Sequence, residues 1–247
     1  TEFGEMKPTM IHDGLWDVYN DEHMGNTGET VSEEFGIDRL TADTFSSRSH
    51  DLALTAWEQG WMEFEVISTP GLDRDEGIRT GVDLSEMRAV FKEGGMVTAG
   101  NASQLSDGAA AVLVASREAA EDNGWPILAT VIDYCTSGVE PARVMAAPIP
   151  AIETLLERNQ LSVGDLAYVE HNEAFAAASC AVAKACHIPN EKFNPHGGAV
   201  AIGHPLGATG ARCLMTLINA LRRTGGGKGI VTLCLGGGNA VAMLVEA

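Results

Sequence analysis

Lysine is scarce in this chain. Lys7, Lys92, Lys184, Lys192 and Lys228 are the only ones in 247 residues, and 16 basic side chains face 34 acidic ones, a formal net charge of −18. Such a chain lacks the field of Lys and Arg that neutralises phosphates, which argues against nucleic acid as a partner. A local basic pocket for a small anion stays open. The acid excess fits either adaptation to high salt or an ordinary acidic cytoplasmic protein. Long apolar runs are missing as well. None approaches the ~20 residues a membrane-spanning helix requires, so no membrane partner is expected. Residues 1–5 are acidic with no apolar core behind them, unlike a secretory signal. Cysteine is sparse and spread out: Cys135, Cys180, Cys186, Cys213 and Cys234 form no C-x-x-C pair. Neither a zinc ribbon nor a disulfide framework is expected, and reduced cytoplasmic thiols are the default. What remains is globular in composition, 45% hydrophobic and 20% charged, enough for one large domain or two small ones.

Two zones follow one another. Up to about residue 95 the chain is charged and irregular, and beyond it Ala, Gly and Val dominate. In the first zone, apolar spacing predicts a helix over 41–59 and alternation predicts a strand over 62–67. The second zone predicts strands at 109–115, 127–135, 166–169, 230–235 and 240–246. Helices are predicted at 117–123, 148–159, 173–186 and 207–223. Apolar strands alternating with helices imply an α/β protein, its sheet covered on both faces. The Ala-rich helix at 173–186 has little bulk, which suits a place between layers.

Three motifs carry chemistry. His171-Asn172-Glu173-Ala174-Phe175 lies at a strand-to-helix junction, where polar side chains of open α/β sheets face the active-site crevice. Asn172 and Glu173 read either as site residues or as helix caps. Gly203-His204-Pro205 sits in a glycine-dense loop. Pro205 restricts His204 to extended backbone, and a fixed His suits acid–base work or a structural hydrogen bond. Metal binding by His204 with His196 is disfavoured, because no further ligand lies near in sequence. Cys234-Leu235-Gly236-Gly237-Gly238 ends a predicted buried strand. Its thiol reads as an inert small hydrophobe, unless the bare N–H groups that follow bind developing negative charge.

In this order the three motifs resemble those of the thiolase family, most closely the acetyl-CoA C-acetyltransferases. Further matching stretches are Asp13-Gly14-Leu15-Trp16-Asp17, His23-Met24-Gly25, Thr98-Ala99-Gly100-Asn101-Ala102-Ser103, Asp107-Gly108-Ala109-Ala110 and Pro148-Ile149-Pro150-Ala151, so the resemblance covers nearly the whole chain. It implies the thiolase fold, a layered α-β-α core with an α+β loop or lid domain. The implied division is a loop domain over 1–97 that binds coenzyme A, the last strand and helix of an N-terminal core over 98–124, and a C-terminal domain over 125–247.

The resemblance also implies roles. Two acetyl-CoA condense to acetoacetyl-CoA, or the reverse thiolysis runs, with coenzyme A as substrate and no permanently bound cofactor or metal. His204 activates the nucleophile, Asn172 holds a water beside it, Cys234 removes the α-proton, and the Gly236 N–H helps hold the oxyanion. Ser103, Leu15, His23, Met24, Phe91, Phe175 and Met145 line the pantetheine and acyl sites. Met145-Ala146-Ala147-Pro148 departs from the family's Met-Gly-x-Gly-Pro, which bears on acyl-chain preference. Coenzyme A is polyanionic, so Arg and Lys of the first zone are expected to hold it. The family's nucleophilic Cys, in a Cys-x-Ser-Gly context, is expected in an N-terminal half that this chain lacks, carried by a preceding segment or a separate subunit. A homo-oligomer, dimer or tetramer, is implied. Alternatives are a non-catalytic or split-subunit thiolase-like protein and a ketoacyl-synthase-like condensing enzyme, the latter a poorer fit to Asn172 and Cys234.

Overall fold

The computed structural model describes residues 6–247; the reading of residues 1–5, and the start of the expected loop domain, lie outside them. After a π-helical turn, Met10–Gly14, comes a short antiparallel ribbon, β1 (Trp16–Asp17) and β2 (Glu22–His23). Helices α1 (Met24–Phe35) and α2 (Arg39–Glu58) follow. Gly36 takes the left-handed conformation that ends α1, and the Asp38 side chain caps α2 by accepting from Thr41 N. After α3 (Arg117–Asp122) comes the main domain: β3 (Thr130–Gly138), α4 (Pro148–Arg158), β4 (Leu166–His171), α5 (Ala176–Ala185), the one-turn α6 (Ala199–Ile202), α7 (Thr209–Arg223), β5 (Lys228–Leu235) and β6 (Asn239–Glu246).

The four strands form one mixed sheet in the order β3-β6-β5-β4, parallel only between β4 and β5. Alternation along the strands assigns its two faces. Ile230, Ala242 and Leu244 point into the core with α4 and α5, whereas Val231, Leu233 and Val245 meet Cys213, Leu217 and Leu221 of α7. The layered α-β-α core is therefore present. Helix α5 occupies the interior that its small side chains suggested: Ala176, Ala177, Ala178 and Ala181 are all buried, and α1, α2 and α4 pack around it. Burying a run of alanines brings helix axes close, so any larger residue there meets a neighbouring helix.

Three predicted elements differ. The strand expected at 109–115 is absent: the segment has no regular structure and pairs with no strand among the described residues, and Leu113 and Val114 are 75% and 78% exposed. Its apolar run reads as buried, yet among the described residues no strand lies alongside it to complete the ladder. The strand expected at 62–67 is a 3₁₀ turn, Trp61–Phe64. Tertiary contacts override the alternation there. Arg223 sits over the Trp61 ring at 3.7 Å, and Asn219 Nδ2 donates to Trp61 O at 2.7 Å. The helix expected from 173 begins three residues later, because Glu173 has φ +58° and Phe175 is extended. Helix α1 is an element that the sequence reading did not identify.

Candidate functional site

The site forms where β4 and β5 end side by side. Those two strands are parallel neighbours, so their C-terminal ends open at the same edge. Asn172 follows directly on β4, and Cys234 is the last but one residue of β5. His204 arrives from the loop after α6. Its backbone N donates to Gln104 O at 3.1 Å, and Gly203 before it has φ +90° with no room for a Cβ against Ser106.

The imidazole is held at both nitrogens. Nδ1 lies 2.6 Å from Thr209 Oγ1, and that hydroxyl donates to Pro205 O at 2.9 Å. Its single proton is thus committed, so Nδ1 carries the imidazole proton and donates to Thr209. Nε2 is left with a lone pair, 3.2 Å from Asn172 Nδ2. Burial, assisted by Arg212, pushes His204 down to about 4, so the ring is neutral at pH 7. Arg212 is itself fixed by a buried pair, Nη1 donating to Glu170 Oε1 at 2.9 Å. Thr209 was not anticipated from sequence; its hydroxyl, five residues beyond His204, was the available signal. Replacing Thr209 by Val should leave Nδ1–H without an acceptor and cost about 1–3 kcal/mol in a urea unfolding curve. It should also shift the His204 tautomer in ¹⁵N spectra.

Cys234 completes the group. Its Sγ lies 3.7 Å from Met145 Sδ. Burial pushes the thiol up to about 11, and the Asn172 amide draws it part of the way back. The Asn172 Oδ1 is buried with no partner among the described residues. Beyond Cys234 the chain turns through Gly237 and Gly238, both at positive φ. Gly236 has open space where a Cβ would be, which leaves its backbone accessible to a ligand.

The expected lining residues are largely brought together. Met24, Phe91, Met145 and Phe175 share one apolar cluster with Cys234. His23 stacks on Phe91 at 4.8 Å, and Phe91 meets Phe175 edge-on at 6.2 Å. Ser103 joins through its backbone, N donating to Ala174 O at 3.0 Å. Leu15 accepts from Met24 N at 2.8 Å but lies outside the cluster. On the other side of His204 an open cleft of about 370 Å³ runs between residues 106–110 and 205–208. His196 packs its ring against Trp61 at 5.2 Å, and the described residues contain no group of His, Cys, Asp and Glu with metal-site geometry.

The other cysteines are placed differently. Cys135-Thr136-Ser137-Gly138 has the letters Cys-x-Ser-Gly, which the sequence reading passed over. Its thiol is buried in the core beneath α4 and donates to Ala151 O at 3.3 Å. Cys180, Cys186 and Cys213 are each pushed up to about 12 by burial. None of these four has the electropositive, accessible surroundings of a reactive thiolate.

Two family models match the chain, the thiolase C-terminal domain over residues 125–247 and the thiolase N-terminal domain over residues 2–118. The chain belongs to the thiolase family. The second match corrects the expectation that the N-terminal half is lacking, since residues 2–118 carry sequence of that domain; no cysteine occurs among them. An acetyl-CoA acetyltransferase of Paracoccus denitrificans is 45% identical over 99% of this chain and 66% of its own length. One of Syntrophomonas wolfei is 42% identical over 99% of this chain and 65% of its own. The crystal structure of the Bacillus anthracis acetyl-CoA acetyltransferase superposes with a TM-score of 0.93 at 38% identity, over the whole of this chain and 65% of that one. The chain thus spans about 65% of the length of these thiolases.

Proposed function

We propose that this chain carries the acid–base machinery of an acetyl-CoA C-acetyltransferase, which condenses two acetyl-CoA to acetoacetyl-CoA and runs the reverse thiolysis. The observation that carries the reading is the 3.2 Å contact of Asn172 Nδ2 with His204 Nε2, with Cys234 at the end of the adjacent parallel strand. The names of the 42–45% identical relatives support it.

The chemistry follows from the protonation states. The neutral His204 Nε2 accepts the proton of a nucleophilic thiol as that thiol attacks the acyl-CoA carbonyl. The CoA thiolate leaves and takes a proton from Cys234, whose thiol is protonated at rest. Cys234 is then a thiolate, and with an affinity matched to about pH 11 it is strong enough to remove an α-proton from the second acetyl-CoA. The carbanion attacks the acyl thioester, acetoacetyl-CoA forms, and the nucleophile recovers its proton. Donors at the Gly236 N–H and at Asn172 stabilise the two oxyanions. Arg74, Arg79 and Arg88 are exposed and form no ion pair among the described residues, which makes them candidates for the phosphates of coenzyme A. Coenzyme A enters and leaves as substrate, with no resident cofactor. No described helix is long and apolar enough to cross a membrane; a cytoplasmic, oligomeric enzyme is the proposal consistent with the family.

The nucleophile is not among the five thiols of this chain. Four are core residues and the fifth is the base, so the acyl-accepting Cys is supplied from outside residues 1–247. Incubating folded 1–247 with acetyl-CoA should therefore give no rapid mass increase of one acetyl group on any Cys. Stoichiometric acylation of a single thiol would refute this division of roles.

A further inference from the structure

Glu173 follows Asn172, and the chemistry above makes no use of it. The residue is fully buried at φ +58°, a left-handed conformation that costs a non-glycine residue about 1–2 kcal/mol. Its carboxylate is surrounded by donors. Oε1 accepts from Asn194 Nδ2 at 2.7 Å, and Oε2 accepts from Ser49 Oγ at 2.7 Å and from Val200 N at 3.2 Å. Ser49 Oγ in turn accepts from Gly198 N at 3.0 Å. Asn194 also ties back to the strand end, its Oδ1 accepting from His171 N at 2.7 Å and its Nδ2 donating to His171 O at 3.0 Å. A Cβ on Gly198 would collide with the Glu173 carboxyl, so the loop passes directly over it.

Three separate elements meet at this one group: α2 through Ser49, the β4 end through Asn194, and α6 through Val200. Asn172 is its immediate neighbour, and His204 lies two residues beyond α6. We infer that Glu173 is a positioning residue whose carboxylate, gathering these donors, sets the distance between Asn172 and His204. The inference rests on the catalytic reading for the meaning of that pair, but the network itself is a matter of geometry. Burial raises the affinity of Glu173 for a proton, while the Asn194, Ser49 and Val200 hydrogen bonds favour its ionised form. A Gln in its place has one acceptor oxygen, and its NH₂ faces another donor.

The test uses the full 247-residue chain and the titration of His204 by NMR. In Glu173→Gln the loop loosens, water reaches the imidazole, and its midpoint rises by about one pH unit or more towards the free value. Alkylation of Cys234 by iodoacetamide speeds up several-fold. Ser49→Ala, which removes one donor and one acceptor, shifts both readouts in the same direction by less. A folded variant of either kind with the parent's His204 midpoint and Cys234 alkylation rate overturns the inference. In the unsubstituted chain, the Gly198 and Val200 amides should exchange as slowly as those of β5, and rapid exchange there overturns it whether or not the variants fold. Because none of these readouts is turnover, the two readings fail separately: stoichiometric acetylation of a single thiol of 1–247 refutes the catalytic division of roles and leaves the positioning role standing, and unchanged readouts in the folded variants do the reverse.

Discussion

Cys234→Ala should lower acetoacetyl-CoA formation by about a thousandfold or more in the enzyme complete with its nucleophile, equivalent to about 4 kcal/mol of transition-state stabilisation. The acyl-transfer half-reaction should fall much less. That asymmetry follows from where the thiol sits. Cys234 lies against Met145 at the end of β5, and the proposed chemistry gives its thiol a proton to receive and no acyl bond to form. Leaving CoA can be protonated by water, whereas the proposed chemistry gives the α-proton no acceptor but Cys234. Single-turnover labelling with acetyl-CoA, followed by chase with a second portion, separates the two steps. Equal loss of both would remove the assignment of Cys234 as the carbon acid's base.

His204→Ala should act on both half-reactions, each by about 10²–10⁴-fold, because in the proposed chemistry the same Nε2 lone pair serves nucleophile activation and its return. The pH profile gives a second reading of the same residue. With its ring pushed down to about 4, His204 is neutral throughout the working range and protonates only as pH falls through that value. The sign is then fixed: activity dependent on neutral His204 holds above about pH 5 and is lost on the acid side, with no break near 6.5. Stability follows the same sign, since a His whose folded affinity for protons is depressed stabilises the fold above its unfolded value and gives that up on acidification. An acid limb at 6–7 in kcat/KM, measured in the range where the protein remains folded, would mean that His204 is not desolvated as described.

The sheet was legible where apolar runs have a layer on each face. Ile230 to Leu235 and Ala240 to Glu246 read correctly because Ile230, Ala242 and Leu244 meet one layer and Val231, Leu233 and Val245 the other. Residues 109–115 read as the same kind of strand and are not, since hydrophobicity reports a capacity for burial and not the presence of a partner. Trp61 and Met62 show the converse, an alternating stretch drawn into a turn by Arg223 and Asn219 of α7. At the site, the order of the motifs around Asn172, His204 and Cys234 indicated a common function, but their convergence depends on β4 and β5 being parallel neighbours. Thr209 and Glu173 were in plain view within the motifs. What hid their connections was distance along the chain: the Glu173 carboxylate meets Ser49, 124 residues away, and no local pattern encodes such a bond. Cys135 carried the expected letters and lay in the core, so letters without burial misassign it in the opposite sense.

The unpaired segment at 109–115 bears on how the protein behaves in solution. Val112, Leu113 and Val114 present an apolar stretch with free backbone donors and acceptors, and Tyr134, Ile132 and Val131 of the edge strand β3 are also exposed. Two molecules meeting at such edges would extend one another's ladders, the geometry from which aggregates grow. The −18 charge opposes that encounter by long-range repulsion, which salt weakens as the Debye length falls from about 30 Å at 0.01 M to about 8 Å at 0.15 M. The acidity therefore opposes self-association at these edges in dilute buffer and opposes it less as ionic strength rises.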